Sequence, residues 1–367
     1  MNKTAVIGKR HEPRFHIAKR DAIPWWKAWI IRIVAVIVAL LFSSVVTVLL
    51  TDANPVDFFT ALVKGAVGTA RRSWVLAKDT SLLLLVALAV TPAFKMRFWN
   101  IGAEGQVLAG GLATITCMIL LGDKLPAPVL YIVMIVASIL AGAIWGVIPA
   151  VFKAVWNTNE TLFTLMMNYI AIQLVGYFCH VWAQPKGSGH IGTVSTGQLP
   201  VVGNEYLLNI IVVAVLTIVM FIYLRYSKHG YEISVVGESE NTARYIGINV
   251  KKVIIRTMLI SGAICGIAGL LLVAGSEHSI TKDTAGGRGF TAIIVSWMGK
   301  FNPLYMILTS FLITFLSKGS DRVSQDLGLN KSFSDIITGI IIFFIIGCEF
   351  FINYKIIYNS RKEAADR

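Results

Sequence analysis

Glu104 is the acid in this sequence that most needs a partner. It sits in Asn100-Ile101-Gly102-Ala103-Glu104-Gly105-Gln106, where one apolar run gives way to the next. A carboxylate well inside an apolar helix costs about 2.5–3.5 kcal/mol on insertion scales, so it faces protein, water or a bound solute. Asn100 is a favoured N-cap, which would put Glu104 in the first turn of a helix, where the dipole stabilises an anion. Gly102 and Gly105 permit close backbone approach or a break. Two roles follow: a structural cap near the inner membrane surface, or a place beside Asn100 and Gln106 on a solute path or its gate.

Two further segments could serve such a path. Asn168 lies inside the apolar run Leu162–Val181, behind the polar stretch Asn157-Thr158-Asn159-Glu160-Thr161. A hydrogen bond to a neighbouring helix is its simpler role, and solute contact the other. Arg288 stands in Gly286-Gly287-Arg288-Gly289-Phe290, and Gly299-Lys300-Phe301-Asn302-Pro303 follows, so glycines and a proline bracket a short apolar piece. Paired broken segments in the two halves of a transporter often mark the solute site. The breaks at 94–106 and 286–303 form such a pair.

The segment Gly237–Asn249 has a different chemistry. Ser239 can cap a short helix, Glu240 suits its first turn, Gly247 can end it and Asn249 can cap the next. A short capped helix held along the membrane surface is a handle that a partner could push. A solvated connector is the plainer reading. Glu238, Ser239, Glu240, Asn241, Ala243, Arg244 and Gly247 are the residues at stake.

Catalytic patterns are poor. His11 and His16 lie in the N-terminal tail and His229 in an inner loop, while His180, His190 and His278 fall at or beyond helix ends. No HExxH or GxSxG occurs, and the GxxxxGK[ST] loop is absent, so any driving ATP must be held by another chain. Cys117, Cys179, Cys265 and Cys348 all lie in apolar stretches without CxxC spacing. They read as small packing residues rather than metal ligands, and no metal or cofactor is expected on this chain.

These residues must be positioned by membrane helices. Of 367 residues, 56% are hydrophobic and 14% charged, against about 25% charged in soluble domains. A bilayer core of about 30 Å needs roughly 20 apolar residues per crossing. The expected crossings are Ile33–Leu50, Ser81–Phe94, Gly102–Leu121, Ala127–Phe152, Leu162–Val181, Leu207–Leu224, Thr257–Gly275, Phe290–Met298, Pro303–Leu316 and Ile336–Phe351. The second, eighth and ninth look short, so the count is eight to ten. The first run reads as a retained anchor, and Phe58, Phe59, Leu62, Val63 and Val67 suggest a helix, either interfacial or merely connecting.

Net charge is +13. The basic residues fall between apolar runs, which fits the positive-inside rule better than nucleic-acid binding. With ten crossings and the N-terminus inside, 22 of the 33 Lys and Arg are cytoplasmic. Merging the eighth and ninth crossings would put the basic C-terminal tail outside. The expected fold class is therefore an all-α polytopic membrane protein of about ten helices, with short or broken helices near 81–106 and 286–316. It carries a basic tail over 1–32, one transmembrane domain over 33–351 with an inner loop at 225–256, and a tail over 352–367, both termini cytoplasmic.

Taken in order, these blocks resemble the permease family of ABC importers for branched-chain amino acids, ribose and nucleosides. Asn100–Gln106 is similar to the signature of the nucleoside-type branch. Asn159-Glu160 with Met167-Asn168-Tyr169-Ile170, the Gly237–Asn249 block, Ser261-Gly262-Ala263 with Gly266-Ile267-Ala268-Gly269, Gly287-Arg288-Gly289-Phe290 and Gly299 with Asn302-Pro303 complete it. Trp99 departs from the family's usual Phe, which bears on the solute and not the fold. The resemblance implies a bacterial inner-membrane subunit importing nucleosides, and residues 238–249 holding the coupling helix. It implies three protein partners besides the bilayer: an ATPase with two nucleotide-binding modules that carries the ATP-Mg, a second homologous permease, and an extracellular solute-binding lipoprotein. A sugar or other small polar solute is the alternative cargo. A stand-alone secondary transporter is less favoured, because Glu104 is its one candidate proton carrier, and a membrane enzyme less still.

Overall fold

The computed structural model describes residues 15–20, 23–51, 54–183, 186–188 and 191–358; His11 and His190 lie outside them. The described residues are mostly helical. A strand β1 (Phe15–Lys19) leads into α1 (Trp25–Thr51), α2 (Pro55–Val67), α3 (Ala70–Lys95), α4 (Ala103–Leu121), α5 (Ala127–Trp156), α6 (Glu160–Val181) and α7 (Leu207–Tyr226). Then come two short helices, α8 (Lys228–Glu238) and α9 (Glu240–Tyr245). After them run α10 (Val250–Leu272) with a π-helical turn at Val273–Glu277, α11 (Arg288–Met298), α12 (Pro303–Asp326), α13 (Lys331–Asn353) and strand β2 (Tyr354–Tyr358).

Eight of these helices are long and apolar enough to cross a membrane: α1, α3, α4, α5, α6, α7, α10 with its π turn, and α13. Of the three crossings expected to be short, only α11 is, at 11 residues. The second is the 26-residue α3, and the ninth is the 24-residue α12, whose C-terminal half carries Lys318, Asp321, Arg322 and Asp326. Charged residues interrupt the hydropathy of both, and Lys78 with Asp79, Lys318 with Asp79, and Arg322 with Asp326 are paired within the fold. The expected helix around Phe58 is α2.

The contacts divide the chain into two compact units, residues 1–63 with 319–367, and residues 64–318. In the first, α1 packs on α13. Arg32 donates from Nε and Nη2 to Glu349 Oε1 at 2.8 and 2.6 Å, and Phe42 meets Phe344 at 5.7 Å. Arg32, assigned from sequence to the tail, is thus inside α1, which opens at Trp25. β1 and β2 pair antiparallel from Phe15 opposite Tyr358 to Lys19 opposite Tyr354. Chain on either side of the first and last spans is therefore joined edge to edge, which requires an even number of crossings.

In the second unit α3, α10 and α4 are central. The buried share of their apolar windows is 78%, 72% and 67%, against 28–33% for α5, α6 and α7. Small residues make the close approach possible. A β-carbon on Gly110 would meet the backbone of Gly266, and one on Gly142 the backbone of Gly262 and Gly266. Without a hydrophobic drive between helices in lipid, such seams supply the van der Waals contact that holds helices together. All four cysteines are buried and unbridged.

Candidate functional site

The α3–α4 connection is built by polar side chains turned onto backbone. α3 ends at Lys95, Arg97 takes a left-handed φ of 62°, and the chain turns back through Phe98–Gly102. Asn168 on α6 grips it twice: its Nδ2 donates to the Ile101 carbonyl at 2.8 Å and its Oδ1 accepts the Gly105 N–H at 2.8 Å. Thr164, one turn earlier, accepts the Ile101 N–H at 3.2 Å. Asn100 donates to Ser261 Oγ at 3.2 Å, and its Oδ1 accepts the Gly102 N–H and the Gln106 Nε2–H at 3.0 and 3.3 Å. Asn100 does not cap α4 as its position suggested: Gly102 is the N-cap, and no side chain caps it.

Glu104 does stand in the first turn of α4, but its carboxylate caps a different helix. Oε1 accepts the Gly287 N–H and Oε2 the Gly289 N–H, both at 2.7 Å. The first N–H groups of any helix lack intrahelical acceptors, and the dipole favours an anion there. Gly287 makes this geometry available with a φ of 72°. A β-carbon on Gly289 would collide with the Glu104 backbone. The two breaks paired from sequence thus meet in space. Trp99 closes the same junction against Phe94 and Trp297, with ring centroids 5.8 and 5.7 Å apart. Thr91 and Ser296 hydroxyls share a hydrogen bond at 2.8 Å along α3 and α11.

Arg288 points to a cluster that the sequence reading missed. Asp79, buried in α3, faces Lys318 Nζ at 2.7 Å, Lys78 Nζ at 3.2 Å and Arg288 Nη2 at 3.6 Å. Arg288 also donates from Nη1 to the Thr284 and Ala285 carbonyls. Three cations exceed the one carboxylate. Glu277, at the end of the π turn, accepts the Thr284 hydroxyl at 2.9 Å and lies within electrostatic reach of Arg288 and Lys78. Charged pairs in a low-dielectric interior need full compensation. The available signal was Lys78-Asp79 just ahead of an apolar run. The apolar run itself opens only at Ser81, whereas α3 begins at Ala70 and so carries Lys78 and Asp79 within the helix.

The loop between α7 and α10 is an elbow of two short capped helices. Ser227 caps α8 by accepting the Gly230 N–H, Ser239 caps α9 by accepting the Thr242 N–H, and Asn249 caps α10 by accepting the Lys252 N–H. Glu240 lies in the first turn of α9 and pairs with Arg244 at 3.2 Å. Gly247 takes a φ of 86° just past its end. Glu238 and Asn241 are exposed. Ala243 is wholly buried in an apolar cluster that also holds Ala93, Met96 and Val253, whereas Tyr245 is 94% exposed and Ile246 52%. At the foot of α10, Arg256 Nη2 donates to Glu232 Oε2 at 2.8 Å. That hydrogen bond, with the positive charges of Arg256, Lys228 and His229, holds the Glu232 carboxyl below the usual range.

A family model described as "Branched-chain amino acid transport system / permease component" matches residues 75–346. The glucose ABC transporter permease protein TsgB13 of Haloferax volcanii is 28% identical over 92% of this chain and 92% of its own length. The guanosine ABC transporter permease protein NupP of Bacillus subtilis is 28% identical over 86% of this chain and 92% of its own. The nucleoside ABC transporter permease protein NupB of Lactococcus lactis is 25% identical over 86% and 90%. With its central helices, its broken segments and its elbow all inside the matched span, this chain belongs to the branched-chain amino acid type permease family of ABC transport systems.

Proposed function

We propose that this chain is the membrane-spanning subunit of an ATP-driven nucleoside importer in the bacterial cell membrane, both termini cytoplasmic. The observation that carries the solute is the likeness to a guanosine and a nucleoside permease over nearly their whole lengths, together with the Asn100–Gln106 block. Glucose is the second reading, favoured by the equal identity to the glucose permease. Uptake of labelled guanosine and labelled glucose, with and without deletion of this gene, separates them. Loss of glucose uptake alone would sink the nucleoside reading.

The gate in this reading is the junction of α4 and α11. Asn100, Gln106 and Asn168 hold the α3–α4 connection, Glu104 seats α11, and Arg288 with Asp79 and Lys318 presents charge to the solute path. Asn100 and Asn168 act as framing rather than solute ligands, because their amides are already bonded to backbone or Ser261.

ATP-Mg belongs to a partner ATPase with two nucleotide-binding modules, which α9 engages. The adjacent exposure of Tyr245 and Ile246 on a capped elbow supports this assignment, since an apolar pair beside the charged Glu240 and Arg244 offers a partner both burial and polar contact. A second homologous permease and an extracellular solute-binding lipoprotein complete the assembly.

A further inference from the structure

A pocket of about 190 Å3 lies at the foot of α10, lined by Lys228, His229, Glu232, Lys252, Val253 and Arg256 together with Asn249. It stands where two candidate spans reach water: α7 has just ended at Tyr226, and α10 begins at Val250. The one acid on its wall, Glu232, is hydrogen-bonded by Arg256 and also feels the charge of Lys228, so one carboxylate faces Lys228, Lys252 and Arg256 and the lining is net positive. Arg256 Nε is buried and has no acceptor at hydrogen-bonding geometry among the described residues, although the Tyr223 hydroxyl lies within electrostatic reach of the guanidinium.

The helix ends sharpen the point. Lys228 and His229 open α8, Lys251 and Lys252 stand in the first turn of α10, and neither first turn holds an acid. A helix N-terminus favours anions and disfavours cations. Two positive helix ends and these basic side chains thus raise the potential at one spot. The cost is offset when an anion with several acceptor oxygens enters.

The surroundings indicate where that anion comes from. Leu259, exposed, follows Lys252 and Arg256 on one face of α10 at helical spacing. On α7 the exposed stripe Val215, Ile218, Val219 and Ile222 ends at exposed Tyr226, and Tyr231 on α8 is exposed as well. An apolar face that ends in tyrosines beside a basic pocket has the chemistry of a headgroup boundary. A protein acid would meet the basic groups but leave those apolar faces unused.

We propose that this pocket binds the phosphate of an anionic phospholipid headgroup, with the acyl chains along the exposed stripe of α7 and past Leu259 at the foot of α10. The inference needs only that the chain spans a membrane and stands whichever solute is carried. The test uses the purified, delipidated full chain in detergent, titrated with dioleoyl phosphatidylglycerol, dioleoyl phosphatidylcholine or inorganic phosphate, with bound lipid counted by native mass spectrometry. The wild type should retain phosphatidylglycerol in preference to phosphatidylcholine. The K228Q/K252Q double variant, which alters two exposed residues, should bind phosphatidylglycerol about tenfold more weakly, and K252Q alone should give part of that loss. K251Q, off the pocket wall, should bind as wild type. Equal retention of the two lipids overturns the proposal, as does a double variant that binds like the wild type. Displacement of phosphatidylglycerol by millimolar phosphate would assign the pocket to free phosphate and overturn the lipid source. Unchanged lipid binding with weakened capture of the ATPase subunit would assign it to a protein acid instead.

Discussion

Glu104 and Gly289 stand 185 residues apart in sequence, and Glu104 Oε2 accepts the Gly289 N–H at 2.7 Å. The same carboxylate takes the Gly287 N–H with its other oxygen. One side chain on α4 therefore fixes both the position and the tilt of the half-length helix α11. Two charge-assisted hydrogen bonds to one helix end are a compact way to hold it, as the proposed gate at this junction requires.

Glu104→Gln should lower the melting temperature of the extracted protein. An amide offers one acceptor where two N–H groups need one each, and losing a hydrogen bond to a charged group costs about 1.5–3 kcal/mol. Gly289→Ala should do the same by overpacking against the Glu104 backbone, at about 1–3 kcal/mol. Uptake should fall in both. An unchanged melting temperature for both variants would show that the junction is not a structural anchor.

Asp79→Asn should be among the most damaging single changes, because it strands Lys318, Lys78 and Arg288. Removing one partner of a buried pair costs about 3–5 kcal/mol. Lys318→Gln should be milder, since two cations remain. The double variant should be less damaged than the sum of the singles. Additive losses in melting temperature would mean that Asp79 and Lys318 do not act together.

Tyr245→Ala should leave the protein inserted and normally abundant while uptake and co-purification of the ATPase fall. Ala243→Asp should instead reduce abundance, because it buries a carboxylate in the packed base of α9. Gly247→Ala should be intermediate, the left-handed conformation costing about 1–2 kcal/mol with a β-carbon. If Tyr245→Ala transports like the wild type, α9 is not the coupling surface.

Cysteine labelling should report the topology. On a cysteine-free background Lys124→Cys should react from outside, and Asn241→Cys and Lys19→Cys only after permeabilisation. The paired strands β1 and β2 predict that Tyr354→Cys behaves like Lys19→Cys. Opposite sidedness for those two positions would break the even count of crossings.

Much of this protein was decided by local sequence. Apolar runs of spanning length marked most of the membrane helices, because a bilayer leaves few other ways to satisfy the backbone. Ser239, Asn249 and Gly247 bounded the elbow, because caps and left-handed positions depend on near neighbours alone. The pairing of the breaks near Glu104 and Arg288 was legible too, as a coincidence of glycines and polar residues in both halves.

Tertiary structure decided the rest. Which helix Glu104 caps depends on an acceptor and donors 183 and 185 residues apart, beyond any spacing rule. Lys78, Arg288 and Lys318 all fall outside the crossings expected from hydropathy, and only α3, α11 and α12 bring them onto Asp79, because hydropathy records the type of a charge and not its partner. Asn100 resembled a cap until Ser261 and Gln106 claimed its amide. In each case the side chain's role is set by the group that satisfies it, and in a membrane interior that group comes from another helix.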